Sequence, residues 1–171
     1  IINKYGAGAC ISVAGKCLQG QIVNNTCRFS VTSSTAAIIR IATEDSAAAA
    51  NQAHAQDILV QGNTLSVDTT FTVGYGIRCL GSGDNITIDN NKLTTIDTGV
   101  LSNGIQIIEF TNGTATYAPA SIRVTNNTIK GATTGIRIDS VCTDSVISQN
   151  EFDGVTTGIY TSSVNSIGVN R

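Results

Sequence analysis

Residues 121–131 read SIRVTNNTIKG, and the amide of Asn127 stands among Ile122, Val124 and Ile129, residues of the kind that build a protein interior. Ile122 and Val124 alternate with polar residues as in a strand, whose successive side chains point to opposite faces. An amide beside such a run needs a reason, because a buried polar group without partners is costly. The reason emerges along the chain, where the same pattern returns.

Anchored on the Asn, GQIVNNTC (20–27), ILVQGNTL (58–65), ITIDNNKL (86–93), IRVTNNTI (122–129) and SVISQNEF (145–152) align. The anchors are Asn25, Asn63, Asn91, Asn127 and Asn150. Three residues before each stands Ile22, Val60, Ile88, Val124 or Ile147, and two after stands Cys27, Leu65, Leu93, Ile129 or Phe152. A second series interleaves with the first: IIRI (38–41), GIRC (76–79), GIQI (104–107), GIRI (135–138) and GIYT (158–161). It begins 13, 13, 13, 8 and 8 residues after the successive anchors. CISV (10–13) and SIGVNR (166–171) look like parts of two further units.

One unit is thus strand, Asn turn, Gly turn and strand, and the shortest spans 22 or 23 residues. That is too short for a βαβ unit. A single unit cannot bury its apolar residues, but units stacked about 4.8 Å apart build a continuous interior. Stacking sets each Asn over the next, so side-chain amides bond along a ladder. The expectation is that the anchor Asn also takes the left-handed backbone of the turn. Gly76, Gly104, Gly135 and Gly158 are expected at a second tight bend for a related reason.

Composition agrees with strands. Ile, Val and Thr are abundant, Pro119 is the one proline, and Trp and Met are absent. Ile1 follows no initiator, so 1–171 is read as a single domain and a fragment of a longer chain. A net charge of −2 gives no electrostatic case for nucleic acid, and no apolar run of membrane-spanning length occurs. Five Cys without CxxC or Cys/His spacing read as buried thiols of a reducing compartment, with Cys27 and Cys79 facing inward.

The NN.I.G...GI.I pattern resembles the right-handed, pectate-lyase-like parallel β-helix group over about residues 9–171. The expected fold class is all-β: a right-handed single-stranded parallel β-helix (solenoid) of about six coils. Insertions are expected near 42–57, an Ala-rich stretch suited to a short surface helix, and near 108–121, a protruding loop.

Within that group the chain resembles segments of bacteriophage tailspikes. The resemblance implies a homotrimer in the virion tail that recognises bacterial surface polysaccharide on the host cell. A polysaccharide-degrading glycoside hydrolase or lyase of the pectate lyase fold and a secreted, extracellular adhesin are the alternatives, so an enzymatic role stays open. No cofactor is implied.

In the second series, the residue after each inward Ile forms an outward column: Ser12, Arg40, Arg78, Gln106, Arg137 and Tyr160. Guanidinium groups pair bidentately with carboxylates, so the column suits an anionic sugar; a solvated face or a subunit interface, with each Arg shielded by a nearby acid, is the competing reading. Phe110 and Tyr117, with Tyr75 and Tyr160, are the available stacking platforms. Glycosidic hydrolysis needs two carboxyls, about 5 Å apart for retention or about 6.5–9.5 Å for inversion. Glu109 and Asp139 follow the second strand of successive units and are the best-placed catalytic pair; Glu44 and Asp45 open the first insertion. Asp57, Asp84 and Asp144 suit turn capping, Asp89 points outward, and His54, the one His, has no triad partners. Calcium-repeat and EF-hand spacings are absent, so no metal is expected.

Overall fold

The computed structural model describes residues 2–4, 8–14, 17–42, 55–81, 83–112, 115–139, 142, 144–162, 166–168 and 170–171. These are strands and turns, with no helix among them. No helix of the described residues is therefore long and apolar enough to cross a membrane.

Three six-stranded sheets, each wholly parallel, contain most of the strands. The first is built from Ile2–Lys4, Thr26–Phe29, Thr64–Val67, Lys92–Thr95, Thr128–Lys130 and Glu151–Asp153. The second takes Gly20–Val23, Ile58–Gln61, Thr87–Asp89, Arg123–Thr125, Val146–Ser148 and Ser166–Ile167. The third takes Ile11–Ala14, Ser33–Ala42, Thr72–Leu80, Val100–Ile108, Ala132–Ile138 and Thr157–Thr161. From Gly20 the chain visits the second, first and third sheets in turn, and each strand pairs with its counterpart one repeat away. This all-parallel arrangement is consistent with a parallel β-helix.

Register explains why the sequence repeats. Ile22, Val60, Ile88, Val124 and Ile147 are successive partners in the second sheet. Cys27, Leu65, Leu93, Ile129 and Phe152 are partners in the first. Ile11, Ile39, Ile77, Ile105, Ile136 and Ile159 are partners in the third. Most of these side chains have no solvent exposure and belong to one continuous core. Fully burying each aliphatic is worth about 1.5–3 kcal/mol, so the columns supply the main driving force.

Two sequence expectations about turns are corrected. The anchor Asn residues do not carry the left-handed backbone: the residue before each one does. Those are Asn24 (φ 55°), Gly62 (66°), Asn90 (52°), Asn126 (56°) and Gln149 (58°). In NN pairs the work is divided, the first Asn turning the chain and the second sending its amide inward. Nor do Gly76, Gly104, Gly135 and Gly158 mark a bend; they lie inside third-sheet strands and are not left-handed. Close approach demands Gly76, Gly104 and Gly135, whereas a Cβ on Gly158 would come no nearer than 3.3 Å to the Phe152 ring. A Cβ on Gly104 would lie 2.6 Å from the Gly135 carbonyl oxygen and 2.7 Å from Ile129 Cγ2.

The insertions also differ from expectation. In the first, Ala42 ends a strand and Ala55–Gln56 form another, paired in parallel with Gly83–Asp84; residues 43–54 lie outside the described residues. The expected helix therefore falls on residues not described. In the second, Phe110–Asn112 and Ala115–Tyr117 pair antiparallel, so the protruding loop carries a strand pair.

Candidate functional site

The amide ladder comes first, because it fixes the register on which any site depends. Asn63 donates through Nδ2 to Asn91 Oδ1 at 2.9 Å, Asn91 to Asn127 at 2.9 Å, and Asn127 to Asn150 at 3.0 Å. Asn25 precedes them, bonding Asn63 at 3.0 Å, and Asn170 follows, accepting from Asn150 at 2.9 Å. Each Oδ1 also accepts the backbone N–H of the preceding Asn, at 2.9–3.0 Å throughout. Asn170, in the terminal SIGVNR, was missed as a member because its hydrophobic frame is incomplete.

A polar cluster on the second sheet is similarly structural. Asp89 accepts from Gln61 Nε2, Thr125 Oγ1 and Asn126 Nδ2, all at 2.8 Å. Burial pushes its carboxyl up, but the donors from Gln61, Asn126 and Thr125 outweigh burial and hold it below the usual carboxylate range. Asp57 and Asp144 occupy left-handed positions just before second-sheet strands, with φ 54° and 55°. Asp84 instead sits in the short strand beside Gln56, which donates to it at 3.4 Å.

The outward column of the third sheet is the candidate site. Ser12, Arg40, Arg78, Gln106, Arg137 and Tyr160 are direct register partners in that order. Gln106 is buried at the centre of the column. Its Oε1 accepts from Arg78 Nε at 3.0 Å, and its Nε2 donates to Asp139 Oδ2 at 2.8 Å. Asp139 also receives Arg137 Nε on both oxygens, at 2.7 and 2.8 Å. That hydrogen bond raises the affinity of Arg137 for its proton. The Arg78 guanidinium carbon lies 4.3 Å from the Tyr75 ring centroid, and that of Arg137 lies 5.2 Å from Tyr160. Both are cation–π distances.

The two halves of the column therefore differ. Arg137 is shielded by an acid, as the solvated-face reading expected. Arg78 is held by a neutral amide and a ring instead. Burial lowers its affinity for the proton, the Tyr75 neighbour opposes this, and the Arg40 charge adds to the lowering. Arg40 and Arg78 line an open cleft of about 350 Å3, together with Gly8, Ala9, Ser12, Ser33, Thr35, Ala36 and Ala37. Ser33 and Thr35 lie at the start of the same third-sheet strand as Arg40; the sequence reading missed them because only the strand register turns them toward the column.

The paired carboxyls are not brought into one unit by any hydrogen bond. Asp139 is engaged with Arg137 and Gln106, while Glu109 is partly exposed and has no hydrogen-bond or ion-pair partner among the described residues. The backbone pairing of Phe110 with Tyr117 is described, and their side chains lie outside what is described. Glu44, Asp45 and His54 also lie outside the described residues. Among the described residues no group of three or more His, Cys, Asp or Glu is placed to hold a metal ion. All five cysteines are free thiols, and Cys27, Cys79 and Cys142 are buried.

No protein-family model matches the chain, and no curated protein or solved structure does either. Function has to be reasoned from the column and its cleft.

Proposed function

We propose that the chain is a right-handed single-stranded parallel β-helix of about six coils, of the bacteriophage tailspike kind, that recognises bacterial surface polysaccharide as a homotrimer. Recognition is assigned to the outward face of the third sheet. The observation that carries this reading is the in-register column from Ser12 to Tyr160, which offers guanidinium, amide, hydroxyl and ring along one line. Saccharides present hydroxyls and apolar ring faces at regular spacing. A straight array of donors beside an exposed ring, Tyr160 at 46% exposure, is suited to both.

The coarse architecture supports the solenoid, because parallel strands that pair only with their counterparts one repeat away leave few other ways to connect. The test is retention of the protein on immobilised bacterial surface polysaccharides, read beside its mass in solution. Binding by a trimer supports the whole proposal. Binding by a monomer removes the trimer, and no binding to any polysaccharide removes the recognition role. Release of reducing ends or unsaturated products would make the protein a depolymerase. Glu109→Gln and Asp139→Asn should then each abolish release, and full activity in both would remove that pair.

A further inference from the structure

Cys10 stands one residue before Ile11, the position that Ile38, Gly76, Gly104, Gly135 and Gly158 hold in the successive third-sheet strands. The repeat shows where a side chain at this position points. Ile38 is buried and belongs to the core. A Cβ added to Gly76 would fall on the Leu93 side chain, one on Gly104 would lie 2.7 Å from Ile129 Cγ2, and one on Gly135 would lie 2.5 Å from Phe152 Cε1. Leu93, Ile129 and Phe152 are first-sheet register partners in the column that contains Cys27. Each lies one repeat beyond its glycine. Cys27 lies one repeat beyond Cys10, at the same chain separation as Leu93 from Gly76 and Phe152 from Gly135.

Two cysteines therefore meet where other repeats set a glycine against a large apolar side chain, and Cys10 packs against the core that holds Cys27. The Cys10 thiol donates to the Cys27 sulfur, which lowers the affinity of Cys27 for its proton more than burial raises it. Their exposure differs. Cys27 has none, whereas Cys10 is partly exposed, close in the chain to the exposed Gly8. One sulfur of the pair is thus open to solvent while the other lies behind it. Cys79 and Cys142 lack this arrangement. Both are buried, and burial first, with Cys142 second, pushes the Cys79 thiol up to about 12.

We propose that Cys10 and Cys27 are a redox-active pair that closes to a disulfide when it meets a low-molecular-weight disulfide such as oxidised glutathione. Cys10, as thiolate, attacks one glutathione sulfur; a Cys10–glutathione bond forms, the glutathione disulfide breaks and one glutathione thiolate leaves. The Cys27 thiolate then attacks Cys10 Sγ, forming the protein disulfide and releasing the second glutathione. The two protein thiols give up two electrons and two protons, and the two glutathione molecules carry them away. The bond staples the start of Ile11–Ala14, an edge strand with one hydrogen-bonded neighbour, to Thr26–Phe29 of the first sheet. Oxidation so holds that edge against fraying, whatever the outward column recognises.

The test incubates the Cys17→Ser protein with oxidised glutathione at pH 8, alkylates it with iodoacetamide, digests it with trypsin without reduction and reads the products by mass spectrometry. Cys17 is replaced because it shares a tryptic peptide with Cys27, which would leave the link ambiguous. The expected product is a Cys10–Cys27 link within one chain that dithiothreitol reverses. Amide hydrogen exchange over Ile11–Ala14 should slow at least about tenfold in the oxidised protein. Adding Cys10→Ser should leave Cys27 unmodified, since Cys10 is the point of entry. A Cys10 that stays bound to glutathione, a link from Cys10 to Cys79 or Cys142, or unreacted Cys10 and Cys27 would overturn the pair. Glutathione on Cys27 in the Cys10→Ser variant would overturn the order of attack. Unchanged exchange over Ile11–Ala14 in the linked protein would overturn the staple.

Discussion

Asn91 and Asn127 are 36 residues apart in the chain, yet the Asn91 side-chain amide donates to the Asn127 side-chain oxygen at 2.9 Å. Both are buried, with 1% and 0% exposure. Asn127 makes further bonds to the Ile88 and Thr125 carbonyls at 2.9 Å, so it satisfies groups on neighbouring strands. The amide in SIRVTNNTIKG therefore ties strands together inside the molecule.

Removing that amide should be expensive. Asn127→Ala strips the side-chain acceptor from the Asn91 backbone N–H, removes one of the three acceptors of the Asn91 side-chain amide, and takes a donor from the Ile88 carbonyl. At about 1–3 kcal/mol for each buried polar group left unsatisfied, a loss of about 3 kcal/mol or more is expected. Asn25→Ala, at the partly exposed start of the ladder, should cost about 1 kcal/mol. Urea denaturation of the two variants compares them. Equal costs would mean that the ladder is decoration.

The third-sheet glycines give a second contrast. Gly104→Ala drives a methyl group into the Gly135 carbonyl and Ile129 and should cost about 3 kcal/mol or more. Gly154 has a left-handed backbone, φ 61°, but nothing lies within 4 Å of the added Cβ. Gly154→Ala should therefore cost only the backbone penalty, about 1–2 kcal/mol. Thermal unfolding of both variants tests the ordering.

How much of this was legible in the sequence depends on the kind of interaction. The aliphatic columns could be read because each repeat must present an apolar residue at the same place, and Ile88 over Val124 follows from alignment alone. The position of the left-handed residue could not. Asn serves equally well for an amide ladder and for a positive φ, and in Asn126-Asn127 the letters are the same for both jobs. Gly104 was misassigned for a related reason: sequence shows that a Cβ is missing, but not whether backbone angle or a neighbouring strand forbids it. In the column, the three Arg were visible as alike. Their different partners, Asp139 for Arg137 and Gln106 with Tyr75 for Arg78, depend on side-chain directions that repeat spacing does not encode.

Acid should weaken the fold through Asp89. Its carboxyl is held below the ordinary value by Gln61, Asn126 and Thr125 against the effect of burial, so the folded state binds its proton less tightly than the unfolded chain. The stabilisation is complete above the unfolded value of about 3.9 and is lost as pH falls through the lower folded value. Asp89→Asn should flatten the dependence of stability on pH below about 4 and leave its form above pH 6 unchanged. Denaturant midpoints measured from pH 2 to 7 decide this.

Thiol chemistry should separate the cysteines. Burial, with a smaller contribution from Cys142, pushes the Cys79 thiol up to about 12, so almost no thiolate exists at pH 8. Cys17 is partly exposed. Iodoacetamide at pH 8 should label Cys17 in the native protein and Cys79 only after unfolding, as mass spectrometry of the digested protein would show.

The stacking of like residues over like is tested most directly by nuclear Overhauser contacts in the isotope-labelled protein. Side-chain amide protons of Asn91 should show contacts to the Asn127 amide and slow exchange with solvent, with methyl contacts running from Ile77 to Ile105 to Ile136. Rapidly exchanging Asn91 and Asn127 amides without mutual contacts, or Ile105 methyls in contact with neither Ile77 nor Ile136, would contradict the account.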